Sequence, residues 1–425
     1  MKRTALSQLA QRTTAPPISW LMQAALQQPK LISLAAGFTD NPTLPVHAAR
    51  VLTQRLLRAP RTAQPALQYG TTAGDPILRE LIGQHLRQQD GAAAKPRACA
   101  AVDIVVTHGS QQLLYILTEV LCDTGDIVLV EDPSYFVYLG IMQSHGLVGR
   151  GIRMEHDGLD LAHLESVLEG LRARRQLPRL KLLYLVSYFS NPAGTTTSLQ
   201  KKAAALRLLR RYEREAGHPI YLLEDAAYRE LRFAGADIPS ALSVDATHSR
   251  VIYTSTFSKP FATGLRVGYG VLPQPVRDAV LRVKGNHDFG TANFLQQLLS
   301  QAMTSGAYAE QVRTLQQRYA KKARVLTSAL RRHLPPSVTW QTPAGGLYVW
   351  ARLPQHVRTD AQSRLFKAAL QNDVLYVPGD LCYATDTARK VPRHEMRLSF
   401  GSASLADLAE GAARLGRALQ SIGCK

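Results

Sequence analysis

The sequence predicts an α/β protein: a large domain built on a mainly parallel sheet flanked by helices, followed by a smaller α+β domain. Three observations carry this. Between residues 100 and 270, short runs that are apolar throughout alternate with helical patterns, as strands covered on both faces do. At 425 residues, with 45% hydrophobic and 20% charged residues, the chain is long enough for two domains with sizeable cores. From about residue 292 the texture shifts to one long helical stretch and a compact tail of short strands.

The apolar runs, in order, are DIVVT (103–107), DIVLVED (126–132), KLLYLVSY (181–188), PIYLLED (219–225) and RVIYTSTF (250–257). Their continuous hydrophobicity predicts strands of a parallel sheet rather than half-exposed hairpins. Helical patterns at 111–121 (QQLLYILTEVL) and 198–215 (SLQKKAAALRLLRRYERE) supply crossovers. After Lys259, the prolines and glycines of KPFATGLRVGYG predict a turning backbone. Residues 311–334 predict a helix stopped by Pro335 and Pro336. Strands are expected around TWQTP, GLYVWARL and EMRLSF, then a last helix opened by a Ser404–Asp407 capping box and closed by Gly423.

Composition narrows the function. The four cysteines (Cys99, Cys122, Cys382, Cys424) are scattered, which argues against a metal site or a disulfide framework and fits a reducing cytoplasm. No run of eighteen apolar residues and no signal-peptide pattern is present, so membrane association is not expected. The formal charge is +19, and its basic runs are local, at 172–181 and 207–215, within or beside helical patterns. These read as solvated faces, and no nucleic-acid-binding module accompanies them.

In a parallel sheet, ligands bind beyond the carboxyl ends of the strands. Five such ends carry chemistry here. The first runs into THGSQQ, where Gly109, Ser110 and Gln111 open a helix and offer an anion site. The second presents Tyr135, the third Asn191, the fourth Asp225 and Tyr228, and the fifth Lys259. A carboxylate closing a buried apolar strand needs a partner there. A lysine partly desolvated at a strand end is a better nucleophile. Ser255, Thr256, Ser258 and Arg266 surround it with groups suited to a phosphate. An anion pocket, an aromatic ring, an amide, a carboxylate and an amine together match the needs of pyridoxal 5′-phosphate (PLP).

On these residues, and most specifically on TFSK (256–259) followed by GLRVGY (264–269), the chain resembles the fold-type I PLP-dependent aminotransferases of class I/II. It looks closest to the branch holding 2-aminoadipate and kynurenine aminotransferases and the aminotransferase-like domain of GntR-type regulators. The resemblance spans about residue 30 to the C-terminus. It implies an N-terminal arm (1–45) packing with the small domain and the substrate site, a large PLP-binding domain (46–300) and a small C-terminal domain (301–425).

The resemblance also implies roles. Lys259 forms the Schiff base with PLP and shuttles protons. Asp225 pairs with the pyridine nitrogen, Asn191 and Tyr228 bind the ring oxygen, and Tyr135 stacks on the ring. Ser110, Gln111, Thr256, Ser258 and Arg266 hold the phosphate. Tyr69 (in LQYG) crosses a homodimer interface to the partner's phosphate. Arg397 (in EMRLSF) binds the substrate α-carboxylate, with Asn191 and Gly37 beside it. The implied reaction moves an amino group from an L-2-amino acid to a 2-oxo acid, expected to be 2-oxoglutarate.

Relatives commonly read GGxP where this chain has AAGFTDNP (35–42), which leaves the side-chain pocket open to question. The GNHDFG segment (285–290) is unusual, and His287 is expected in a loop. Two other readings stay open. One is a PLP lyase, decarboxylase or synthase using the same residues. The other is a PLP-binding regulatory module, which is disfavoured because only about 30 residues precede the resemblance.

Overall fold

All five apolar runs become strands of one eight-stranded sheet in the computed structural model, which describes residues 4–424 apart from 18, 22, 24–27, 29, 95–98, 387 and 388. After a short strand β1 (Ile32–Ser33), the sheet is built from β2 (Ile104–Thr107), β3 (Ile127–Asp132), β4 (Val148–Glu155), β5 (Gly158–Leu159), β6 (Leu180–Val186), β7 (Tyr221–Asp225), β8 (Val251–Thr256) and β9 (Gly268–Val271). Their spatial order is β2-β9-β8-β7-β6-β3-β4-β5. Strands β8, β7, β6, β3 and β4 are parallel neighbours. Every residue of β2, β8 and β9 is buried, as expected for strands covered by helices on both faces.

Two strands depart from the sequence reading. β9 forms where only a turn was expected: after Lys259 the chain turns through Thr263–Leu265 and then runs antiparallel between β8 and β2. Because β2 and β8 both run antiparallel to β9, they share one direction, and the carboxyl ends of β2, β3, β6, β7 and β8 still meet at one edge. β4 (VGRGIRME) mixes charged and apolar residues and so lacked a continuous apolar signal.

The C-terminal part forms a four-stranded antiparallel sheet of β10 (Thr339–Trp340), β11 (Tyr348–Arg352), β14 (Glu395–Ser399) and β13 (Val377–Pro378). The long helix spans Ala307–His333 and the last helix Leu405–Ser421, whose capping box between Ser404 and Asp407 is formed as expected. β1 pairs in parallel with β12 (Val374–Leu375). Leu34 then donates to the Leu375 carbonyl at 2.8 Å and its own carbonyl accepts from Ser399 at 2.7 Å. These bonds draw residues 35–37 across to the edge where the strands of the large sheet end.

The loop beyond them is pinned by charge. Asp40, buried, is met by Lys322 at 2.6 Å and Arg318 at 2.9 Å from the long helix, and its N–H donates to the Tyr319 hydroxyl at 3.1 Å. Two cations and a hydroxyl on one helix thus hold the buried Asp40 against it.

Candidate active site

A cavity of about 370 Å³ lies at the edge where the five strand ends meet. It is lined by Ser110, Gln111, Tyr135, Asn191, Asp225, Tyr228, Thr256, Ser258, Lys259 and Arg266 from the large sheet, with Gly37 from the N-terminal segment and Arg397 from β14. The candidate site residues are therefore brought together except Tyr69 and Ser255, whose hydroxyl donates to the Ala226 carbonyl at 3.3 Å instead. The Tyr69 side chain is 83% exposed and stacks edge-on against Phe289, with ring centroids 5.4 Å apart.

The anion-binding end is built by close approach. Gly109, at φ +74°, starts the helix Gly109–Leu121, and a Cβ there would come within 2.9 Å of the Arg266 guanidinium. A Cβ on Gly268 would stand 2.4 Å from the Ser110 nitrogen, so β9 needs glycine where the turn crosses it. Arg266 donates to Ser258 Oγ at 3.2 Å, while Thr256 Oγ1 bonds Ser258 Oγ at 3.0 Å and receives the Ser258 N–H at 3.1 Å. Hydroxyls, a guanidinium and a helix N-terminus converge here on one point.

Asp225 and its neighbour Glu224 face opposite sides of the sheet. Glu224 is neutralised: Lys202 lies 2.8 Å away, and the Ala241 N–H donates to it at 2.7 Å. Among the described residues, the Asp225 carboxylate receives only the Tyr184 hydroxyl at 2.9 Å and the Ala227 N–H at 3.1 Å. Burial pushes its carboxyl up to about 6 despite those two bonds. A buried carboxylate with no cation beside it is matched to a ligand that arrives with a proton on its facing atom.

Lys259 Nζ donates to the Gly37 carbonyl at 2.9 Å. Burial, then the positive charges of Arg266 and Arg397, pull its amine down to about 8, so a useful fraction is neutral and nucleophilic near pH 7. Asn191 Nδ2 lies 3.4 Å from both the Tyr228 and Tyr348 hydroxyls, which are 3.0 Å apart. Arg397, 1% exposed, donates to Asn191 Oδ1 at 2.6 Å and to the Ala35 carbonyl at 2.7 Å, and lies over the Tyr348 ring at 4.4 Å. Its Nε is buried without a partner. Three of its five N–H groups remain to be filled.

Sequence reasoning missed Tyr184 and Tyr348. Tyr184 carried a signal: in β6 it lies two residues before Val186, which pairs with Asp225, so both face the cavity side. Tyr348 gave none, because its place depends on β11 meeting Gly37, where a Cβ would stand 2.6 Å from its hydroxyl.

The site and fold together define a PLP-dependent enzyme of the aminotransferase type. The chain belongs to the family described as aminotransferase class I and II, whose match covers residues 29–415. It is 32% identical over 401 residues to the 2-aminoadipate transaminase of Thermus thermophilus, covering 93% of this chain and 92% of that protein. The kynurenine aminotransferase of Pyrococcus horikoshii, solved with PMP, superposes with a TM-score of 0.88 at 27% identity, over 99% of this chain and 98% of that one. The α-aminoadipate aminotransferase LysN of T. thermophilus, solved with N-(5′-phosphopyridoxyl)-L-leucine, gives a TM-score of 0.83 at 30% identity, with 98% of each chain covered.

The cofactor is accordingly PLP, and the residues present fit it. The cradle at Gly109, Ser110 and Arg266 suits its phosphate, Asp225, whose two hydrogen bonds come from neutral groups, its protonated ring nitrogen, and the amine of Lys259 its aldehyde.

Proposed function

We propose that this aminotransferase takes the amino group of an L-2-amino acid and passes it to a second 2-oxo acid, with 2-oxoglutarate as acceptor, in a ping-pong cycle. The observation that carries the reading is one cavity holding Lys259, with its amine drawn down to about 8, and Asp225, a buried carboxylate without a cation.

PLP, when bound, supplies an aldehyde for the amino group and a ring that draws electrons from the substrate α-carbon. In this reading Asp225 keeps the proton on the ring nitrogen, and Tyr184 fixes its carboxylate. Asn191 and Tyr228 hold the ring oxygen, Tyr135 covers the ring, and Ser110, Gln111, Thr256, Ser258 and Arg266 hold the phosphate. Arg397 takes the substrate α-carboxylate through a fork geometry that donates two parallel bonds. Lys259 Nζ accepts the proton leaving the substrate α-carbon and returns it in the reverse half of the cycle.

The working unit is a homodimer with shared sites, in the cytoplasm. A second subunit would cover large apolar side chains that stand exposed at Val46 (75%), Leu67 (69%), Tyr69 and Ile77 (60%). All four cysteines are buried and unpaired, which suits a reducing compartment. Among the described residues no helix is long and apolar enough to cross a membrane. The arm (1–45), large domain (46–300) and small domain (301–425) remain our division of the chain. It is supported by the confinement of the eight-stranded sheet to 104–271 and of the antiparallel sheet to 339–399.

A panel of ¹⁵N-labelled amino acids with 2-oxoglutarate tests the reading. Label should appear in glutamate, and the donor's 2-oxo acid should form only when an acceptor is present. Release of ammonia or carbon dioxide without an acceptor would point instead to a lyase or decarboxylase.

A further inference from the structure

The GNHDFG segment is not a loop around His287. Gly285–Asp288 form the end of the helix Gln274–Asp288, which packs against the helix Gly109–Leu121. The first residue before the phosphate cradle, His108, makes no side-chain cap on its helix. Instead Gln112 Oε1 accepts the His108 N–H at 2.8 Å. The other end of the same amide donates from Nε2 to Asp288 Oδ2 at 2.7 Å and lies 3.3 Å from His287 Nδ1. Asp288 is itself fixed by Lys284, a fully buried amine that reaches its two oxygens at 2.7 and 3.0 Å.

We propose that Gln112, anchored on the Asp288–Lys284 pair, is a positioning residue for the cofactor phosphate. It does not line the cavity and acts through the turn His108–Ser110. Gln112 engages the first N–H of the turn, that of His108, while the N–H groups of Gly109, Ser110 and Gln111, which open the helix without intrahelical partners, are left for an anion. The opposite side of the turn has no slack, since Arg266 and Gly268 already press against Gly109 and Ser110. The turn is thus clamped between β9 and a side-chain amide. Losing the amide lets it move only outward, lengthening charge-assisted bonds that depend steeply on distance.

The inference rests on the reading of Ser110 and Arg266 as phosphate ligands, and pyridoxal, which lacks the phosphate, separates the two. Gln112→Leu removes both arms of the amide and spares the ion pair. Dissociation constants of the cofactor-free protein for PLP and for pyridoxal are measured by fluorescence. PLP should bind roughly tenfold more weakly, with pyridoxal binding unchanged. Equal weakening of both ligands, or unchanged PLP affinity, overturns the proposal. If Gln112→Leu does not fold, Gln112→Met, neutral and unable to make either hydrogen bond of the amide, reads the same ratio. Arg266→Met is the control: if it leaves the preference for PLP over pyridoxal intact, the phosphate reading itself fails and the proposal with it.

Discussion

Lys259 donates its amine to the backbone carbonyl of Gly37 at 2.9 Å, linking the strand-end lysine to a residue 222 positions earlier. The contact is with a neutral dipole and not with a carboxylate. The lysine's charged neighbours are Arg266 and Arg397, and both disfavour the protonated amine. The cavity therefore holds the amine ready to lose its proton, while Gly37, on a loop fixed through Asp40, keeps it pointed inward.

The rate at which cofactor-free protein captures PLP should follow this titration. With the amine drawn down to about 8, capture should rise about tenfold per pH unit below that value and level off above it. Stopped-flow absorbance across pH 6 to 10 measures it. A rise continuing to about pH 10, the ordinary lysine range, would mean that the amine is not perturbed.

Asp225→Asn should trade activity for stability. The folded protein holds the Asp225 proton up to about 6, above the ordinary carboxylate value of 3.8. Its contribution to stability is thus present at low pH and lost as pH rises through that window, leaving a standing cost above it of roughly 3 kcal/mol. Without cofactor, Asp225→Asn should be more stable than the parent at pH 7.5 by about that amount, and equal to it near pH 4, by denaturant titration. Turnover should fall by roughly 100-fold or more, the scale of one electrostatic contact made in the transition state. Near-normal turnover would remove Asp225 from the mechanism.

Tyr69 should act only across a dimer. Mixing Tyr69→Phe subunits with Lys259→Ala subunits creates one hybrid site carrying both lesions and one carrying neither. Activity should partly return once exchange is shown by native mass spectrometry. A mixture no more active than its parents would argue against a shared site.

Arg397→Lys should weaken every amino and oxo acid by a similar factor, because lysine keeps the charge and loses the fork. The loss expected is roughly 1.5–3 kcal/mol in substrate affinity, with PLP still bound. Losses confined to dicarboxylic substrates would place Arg397 at the distal carboxylate instead.

The core of the site was legible because each residue follows an apolar run: Lys259, Asp225, Asn191 and Tyr135 all sit at or just past a buried strand. What was illegible depends on non-local pairing. β9 hides behind Gly264 and Gly268, which read as turn residues, although Gly268 is required by the close approach of Ser110. Tyr348 and Gln112 gain their meaning from partners 120 and 176 residues away, Tyr228 and Asp288, which no local pattern encodes. The sequence reading puts His287 in a loop, yet the helix continues to Asp288.

Mapping the lysine that bonds PLP tests the central claim most directly. The purified protein is incubated with PLP, reduced with borohydride, digested and read by tandem mass spectrometry. A phosphopyridoxyl group on Lys259, absent from the Lys259→Ala variant, is the predicted result. The same modification on Lys284, Lys322 or another lysine, or its persistence in the variant, would contradict the account.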